Sequence, residues 1–345
     1  MRSPLATSAS RYLPVGKLSP ELMAQLLQLQ GWPDERVVLG PRIGEDAAVI
    51  DFGDRYLVAK TDPITFATEE IGWYLVQVNA NDLATTGAMP RWLLVTLLLP
   101  ENKTTPELAH SILAQIDAAC QELRMALVGG HTEVTYGLDR PIAVGQMLGE
   151  VAKEKLITTA GARVGDDLVL VKGIAIEGTA IIAREMSEEL LRRGYTSDFI
   201  TRAKNYLYHP GISIVREAML ATNSAIVHAM HDPTEGGLAT GLHELAMAAH
   251  VGVWVDEEAI PIWPECTALC STFDLNPLGL IASGSLLIAL PPQQTPALLA
   301  AYQKANVPCA VIGRVTPADE GLKLKSGASI TDLPRFDQDE ITRLF

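Results

Sequence analysis

The chain has 345 residues, about twice the length of a typical domain, so two domains are expected rather than one. Hydrophobic residues make up 48% and charged residues 20%, a composition that supports packed cores and excludes a disordered or low-complexity chain. Asp and Glu outnumber Lys and Arg by 41 to 27. The resulting charge of -14 argues against nucleic acid or an anionic membrane as partner, because phosphate backbones are gripped by clustered cations.

In chain order, Ser19-Pro20-Glu21-Leu22 reads as an N-cap followed by proline at N1, with Leu22, Leu26 and Leu29 as the apolar stripe of a first helix. Residues 1–17 hold no apolar run of signal-peptide length, and the longest apolar stretch, 92–99, is far below a membrane span, so a cytoplasmic location is expected. Gly40 to Ile50 leads from a glycine-containing turn into a strand and places Glu45 and Asp46 at its entrance. A second strand over 56–62 delivers Asp62, and Pro63 is expected to stop it.

A helix is predicted over 69–86, ended by Gly87 as a left-handed cap with Pro90 beyond. Ile71, Leu75 and Val78 mark one face of it, and Asp82 falls next on that line, beside Asn79 and Asn81. A carboxylate buried there needs a cation or a set of donors. Strands over 92–99, 126–128 and 142–150 and a helix over 105–123 complete the first half. The domain boundary is placed after residue 151, giving units 1–151 and 152–345, because 152–165 turns polar and glycine-containing. The second half reads as strands near 168–172, 225–230, 252–256, 284–290 and 309–315, and helices near 179–193, 213–221, 237–249 and 295–305. Such alternation predicts helices layered on sheets.

Glu45, Asp46, Asp62 and Asp82 are oxygen ligands suited to magnesium, and four of them could serve ions bridging a triphosphate. Taken singly, each could equally be a turn or cap residue. Gly129-Gly130-His131-Thr132 after a strand reads as a turn whose amides could cradle phosphate, or as a plain tight turn. His231-Asp232-Pro233-Thr234-Glu235-Gly236-Gly237 reads as a helix start in which Asp232 caps and Glu235 completes a capping box. Gly236 and Gly237 exceed what capping needs and suggest close approach of a ligand or of the other domain. His228 with His231 and Cys266 with Cys270 have metal-like spacings, but the cysteines are expected to face the core of a short helix after Ile260-Pro261.

Together these motifs resemble the aminoimidazole ribonucleotide (AIR) synthetase superfamily, from Gly40 to Val315. The carrying residues are Gly44-Glu45-Asp46-Ala47-Ala48, Asp62, Asn81-Asp82-Leu83-Ala84, Gly129 to Thr132, Asp232-Pro233-Thr234 with Gly236-Gly237, and Ser283-Gly284-Ser285. The wording of the second half is similar to the hydrogenase maturation factor HypE. The resemblance implies an α+β, two-domain PurM-like fold, with an N-terminal mixed sheet used for homodimerisation and a C-terminal α/β sandwich. It implies ATP and magnesium as cofactors, with Glu45, Asp46, Asp62 and Asp82 at the metal and Gly129, Gly130, His131, Thr132, Thr234, Gly236 and Gly237 at the nucleotide. Asp82 and Asp232 are the implied catalytic residues.

Family chemistry phosphorylates a carbonyl oxygen, a phosphate ester or a selenide, so a small-molecule substrate and other maturation proteins are the expected partners. The sequence departs from HypE in ending Ile341-Thr342-Arg343-Leu344-Phe345, without the carrier cysteine, and from thiamine monophosphate kinases in having His131 where they usually have Asp. It departs from selenophosphate synthetases in having no cysteine before Cys120. A HypE-like enzyme, a thiamine-monophosphate-kinase-like phosphotransferase and a non-catalytic nucleotide-binding partner of maturation proteins remain as alternatives.

Overall fold

The computed structural model describes residues 18, 20–28, 31–65 and 69–345; Ser19 and Leu29 of the expected first helix lie outside the described residues. The first half comprises α1 (Pro20–Leu26), β1 (Val37–Leu39), β2 (Ala48–Asp51), β3 (Arg55–Ile64), α2 (Ile71–Thr85), β4 (Met89–Pro100), α3 (Pro106–Leu123), β5 (Ala126–Thr135) and β6 (Ile142–Ala152). Its strands form one sheet in the order β1-β2-β3-β6-β4-β5. Only β4 and β5 run parallel, and α3 supplies the crossover that a parallel pair requires. Thr105 caps α3 by accepting from the Leu108 amide, and Ile112, Ile116, Ala119 and Cys120 form its buried face.

The second half comprises β7 (Asp167–Val171), α4 (Ile176–Glu185), α5 (Ser187–Arg192), α6 (Ser197–Lys204), α7 (Val215–Ser224), β8 (Ala229–His231), α8 (Gly237–Ala249), β9 (Gly252–Asp256), α9 (Pro264–Phe273), β10 (Leu286–Leu290), α10 (Thr295–Lys304), β11 (Cys309–Thr316), β12 (Leu322–Ser326) and β13 (Ser329–Asp332). They build a second sheet, β13-β12-β9-β11-β7-β10-β8, in which only β9 and β12 are parallel. Central strands β7 and β10 are apolar at nearly every position because both faces are covered. Leu168, Leu170, Leu287 and Ala289 join one core, with Leu238, Leu242 and Leu269 from α8 and α9. Val169, Val171, Leu286 and Ile288 join a core that continues into α2 and the first sheet. The result is a two-domain α+β architecture.

Helix α2 is the spine between the sheets. Thirteen of its fifteen residues are buried, because it packs on β3, β6 and β4, against α3, and against α7 and β8 of the second half. A helix covered on all sides has no polar face to spare. The Asn79 side chain accepts from the Asp62 amide at 3.0 Å and donates to Leu75 O at 2.9 Å. Asn81 reaches the other way, donating to Ile212 O and accepting from the Ile214 amide, both at 2.8 Å. Gly87 follows the helix at φ +78°, as its type suggests.

Several sequence expectations change. Strand β3 runs through Pro63, which pairs opposite Val144. Its other neighbour, β2, pairs only with residues 56–59, so Pro63 lies where β3 has a single strand neighbour. Residues 129–132 are not a turn: β5 continues through them alongside β4, with a register shift near Leu93 and Leu94. The helix expected over 179–193 breaks at Met186 into α4 and α5. The β12–β13 hairpin, β1 and α6 were not anticipated. Cys266 and Cys270 do face the core from α9. Among the described residues no helix is long and apolar enough to cross a membrane.

Replacing Asn81 with Ala strands a buried amide of Ile214 and a buried carbonyl of Ile212. Each orphan costs about 1–3 kcal/mol, so the variant should lose about 3 kcal/mol. Urea unfolding reads this as a lower midpoint; an unchanged midpoint would show that the bridge is dispensable.

Candidate active site at the junction of the sheets

Four elements deliver charged side chains to one place. Asp46 lies two residues before β2, Lys60 and Asp62 sit on β3, Asp82 sits on α2, and His231 ends β8 with Asp232 directly after it. The Lys60 ammonium lies 3.2 Å from an Asp82 oxygen and 3.6 Å from an Asp62 oxygen. The Asp82 contact has ion-pair distance without hydrogen-bond alignment, so that oxygen retains an unfilled lone pair. His231 Nδ1 is 3.0 Å from Asp46 and its Nε2 is 2.9 Å from Glu244 of α8. Ligand atoms of Asp46, His231 and Asp232 all lie within 4.8 Å of one another.

Burial sets the electrostatics. Asp82 and Asp232 are 3% and 2% exposed, and neither Asp232 oxygen has a hydrogen-bond partner. Burial pushes the Asp82 carboxyl up to about 8, with Lys60 opposing and Asp62 and Asp46 reinforcing the shift. Burial, then Asp82 and Asp46, hold Asp232 well above the usual carboxylate range. For Lys60, burial disfavours the charge, but Asp82, Asp62 and Asp46 outweigh it and the ammonium stays protonated. His231 is likewise held above its usual value by Asp46 and Glu244 against its burial. With a carboxylate on each nitrogen, the ring donates twice as imidazolium and offers no lone pair to a metal.

Five carboxyls (Asp46, Asp62, Asp82, Asp232 and Glu244) thus face two cations, Lys60 and His231. Buried carboxyls that ionise only when a cation joins them, with orphaned oxygen atoms, fit a hard cation bound through carboxylates and phosphate oxygens, so the residues present suit magnesium.

Other expected site residues are placed elsewhere. Glu45 accepts from the amides of Thr159 and Ala160 at 3.2 and 3.1 Å, one per oxygen, and so anchors the segment linking the two sheets. Gly129, Gly130, His131 and Thr132 lie on the exposed edge strand β5, where His131 contacts Glu133 at 3.0 Å. Asp232 does not cap α8. The N-cap is Gly236, whose amide donates to Asp339 at 2.7 Å, and Thr234 O accepts from Gly237. Gly237 is required because a Cβ there would come within 2.5 Å of Leu278 O, within the second half of the chain.

Sequence reasoning missed Lys60, Glu244 and Asp339. One signal was available for Lys60: two residues before Asp62 on a strand, it shares that residue's face. The histidine pair separates, His228 bonding Asp166 at 2.9 Å while His231 joins the cluster.

Residues 44–151 match the family model described as AIR synthase related protein, N-terminal domain, and residues 163–325 match its C-terminal domain. The chain belongs to this family. It is 30% identical over 302 residues to a Methanocaldococcus jannaschii protein named, provisionally, as a hydrogenase expression/formation protein, covering 85% of this chain and 86% of that one. It is 28% identical over 290 residues to carbamoyl dehydratase HypE of Rhizobium leguminosarum, covering 81% and 79%. Among solved structures, the fold is similar to that in a HypE–HypF complex (TM-score 0.73, 20% identity, 91% and 99% coverage). It is similar also to HypE in complex with ATP (0.66, 24%, 88% and 92%) and to AaThiL complexed with AMPPCP and TMP (0.69, 20%, 90% and 93%). These likenesses confirm the PurM-like fold of the family.

Two variants test the charge reading. Asp232→Asn removes a buried carboxylate that no donor compensates, so metal-free protein should melt higher and gain less from added magnesium and ATP; a lower metal-free midpoint would contradict it. Glu177, buried on α4 beside Ser283, is pushed up to about 7 by that burial. Its folded value exceeds the ordinary 4.5, so the stability it contributes is present below pH 4.5 and lost as pH rises through 7. Glu177→Gln should therefore match the parent at pH 4 and exceed it at pH 8 by at most about 3 kcal/mol in denaturant unfolding.

Proposed function

We propose that the chain is an ATP- and magnesium-dependent enzyme of the HypE type, which activates a carbonyl or amide oxygen by phosphorylation during hydrogenase maturation. The observation that carries this reading is the Asp232 carboxylate, buried with both oxygens unpartnered beside Asp46 and His231. The curated relatives named HypE supply the reaction class, and the HypE–ATP complex supports the nucleotide.

In this reading Asp46 and Asp232 hold the metal, Asp62 and Asp82 complete the acidic cluster beside it, and Asp82 and Asp232 are the catalytic carboxylates. Bound magnesium would neutralise charge on the triphosphate as phosphate moves to the acceptor. Gly129 to Thr132 on β5, and the loop carrying Thr234, Gly236 and Gly237, are the nucleotide's neighbours in this reading, with the Gly236 and Gly237 amides already held by Asp339 and Thr234. His231 holds Asp46 in place from behind through a charge-assisted hydrogen bond. The proposed metal set leaves out Glu45, whose two oxygens are engaged by the linking segment.

A homodimer through the first sheet suits edge strand β5, which is exposed on both faces and displays Leu127, Val128 and Val134. Maturation proteins are the further partners, on the strength of the HypE–HypF complex. A second reading, direct phosphate transfer to a phosphate ester, draws on the likeness to AaThiL complexed with AMPPCP and TMP.

Calorimetry should find ATP binding only with magnesium, and Asp82→Asn should weaken it at least about tenfold, about 1.4 kcal/mol. Phosphate release against a panel of carboxamides and thiamine monophosphate then separates the readings. Acceleration by an amide supports the first, transfer to thiamine monophosphate supports the second, and metal-independent binding unaffected by Asp82→Asn removes both.

A further inference from the structure

Lys60 stands where a metal would be expected. Its ammonium lies 3.2 Å from Asp82 on α2 and 3.6 Å from Asp62 on its own strand, so it occupies the space between the two carboxylates that those elements bring together. The side chain is one-fifth exposed, between the buried Asp82 and the more open Asp62. A lysine head is a compact point charge with three donors, able to serve two carboxylates and keep one donor for a third oxygen. A divalent ion between Asp62 and Asp82 would have to share that position with a like charge.

The other end of the cluster is different. Asp232 has two buried oxygens without partners, and Asp46 and Asp232 approach within the span of one ion's ligands. His231 is committed to Asp46 and Glu244. Magnesium is ordinarily held by one or two carboxylates together with substrate phosphates, so this end has the ligands for one ion and no more.

We propose that Lys60 is a resident cation that replaces one divalent ion, so that nucleotide is bound with a single divalent ion at Asp46 and Asp232 while the Lys60 ammonium faces the phosphates from the Asp62–Asp82 side. This rests on the ATP-binding reading above. Lys60 is a specificity-determining residue in this scheme: it fixes how many metal ions accompany the nucleotide.

The test counts Mn2+ bound per protomer by electron paramagnetic resonance at saturating AMPPNP, using the full chain. The wild type should take up one Mn2+, Lys60→Arg also one, and Lys60→Ala two. AMPPNP affinity of Lys60→Ala should then rise more steeply with Mn2+ concentration than that of the wild type. Equal counts in wild type and Lys60→Ala overturn the proposal, and so does more than one Mn2+ in the wild type alone, a measurement that holds even if the alanine variant does not fold. Failure of the wild type to bind AMPPNP at all removes the ATP reading and this inference together, whereas nucleotide binding with an unchanged metal count removes only the inference.

Discussion

A carboxylate cannot stay ionised inside a protein without an opposing charge, and this chain buries two of them, Asp82 and Asp232, within one junction. Asp82 sits on a helix enclosed on every side, so it cannot turn towards water. Asp232 follows directly on β8 and has no donor within reach of either oxygen. Around this charge the fold arranges Lys60 from β3, His231 from β8 and Glu244 from α8.

Holding such a site requires the two sheets to keep a fixed relation. Asn79 ties α2 to β3 at Asp62, and Asn81 ties the same helix to the backbone on either side of Ser213. Glu45 clamps the linking segment at Thr159 and Ala160. The apolar core that runs from the first sheet through α2 to β7 and β10 makes the junction continuous rather than hinged. Polar residues that look like ligand candidates in the sequence are thus divided between fastening the junction and facing the charged cluster. Neighbours in sequence take opposite roles: Glu45 fastens the junction while Asp46 faces the cluster.

The start of α8 illustrates how local and tertiary requirements compete. A capping box written as Asp232-Pro233-Thr234-Glu235 is a sound local reading, yet the helix begins at Gly237 and its N-cap amide is taken by Asp339, over a hundred residues away. Releasing Asp232 from capping leaves both its oxygens buried without a hydrogen-bond partner. Gly237 answers to packing against Leu278 and Leu280, where a side chain would strike backbone oxygen, and Gly236 to the Thr240 side chain one turn on.

By itself the sequence determined the alternation of strands and helices, the α+β class, the family, and the placing of Asp82 on a buried helix line. These depend on periodicity, caps and short motifs, all of which act within a few turns of chain. Only the tertiary structure decided that Lys60 is the counter-charge of Asp82, that His231 joins Asp46 across 185 positions, and that β3 passes through Pro63. The physical reason is sheet register and the stacking of α2 between two sheets. These set which distant side chains meet, and a one-residue shift would send Lys60 and Asp62 to the opposite face.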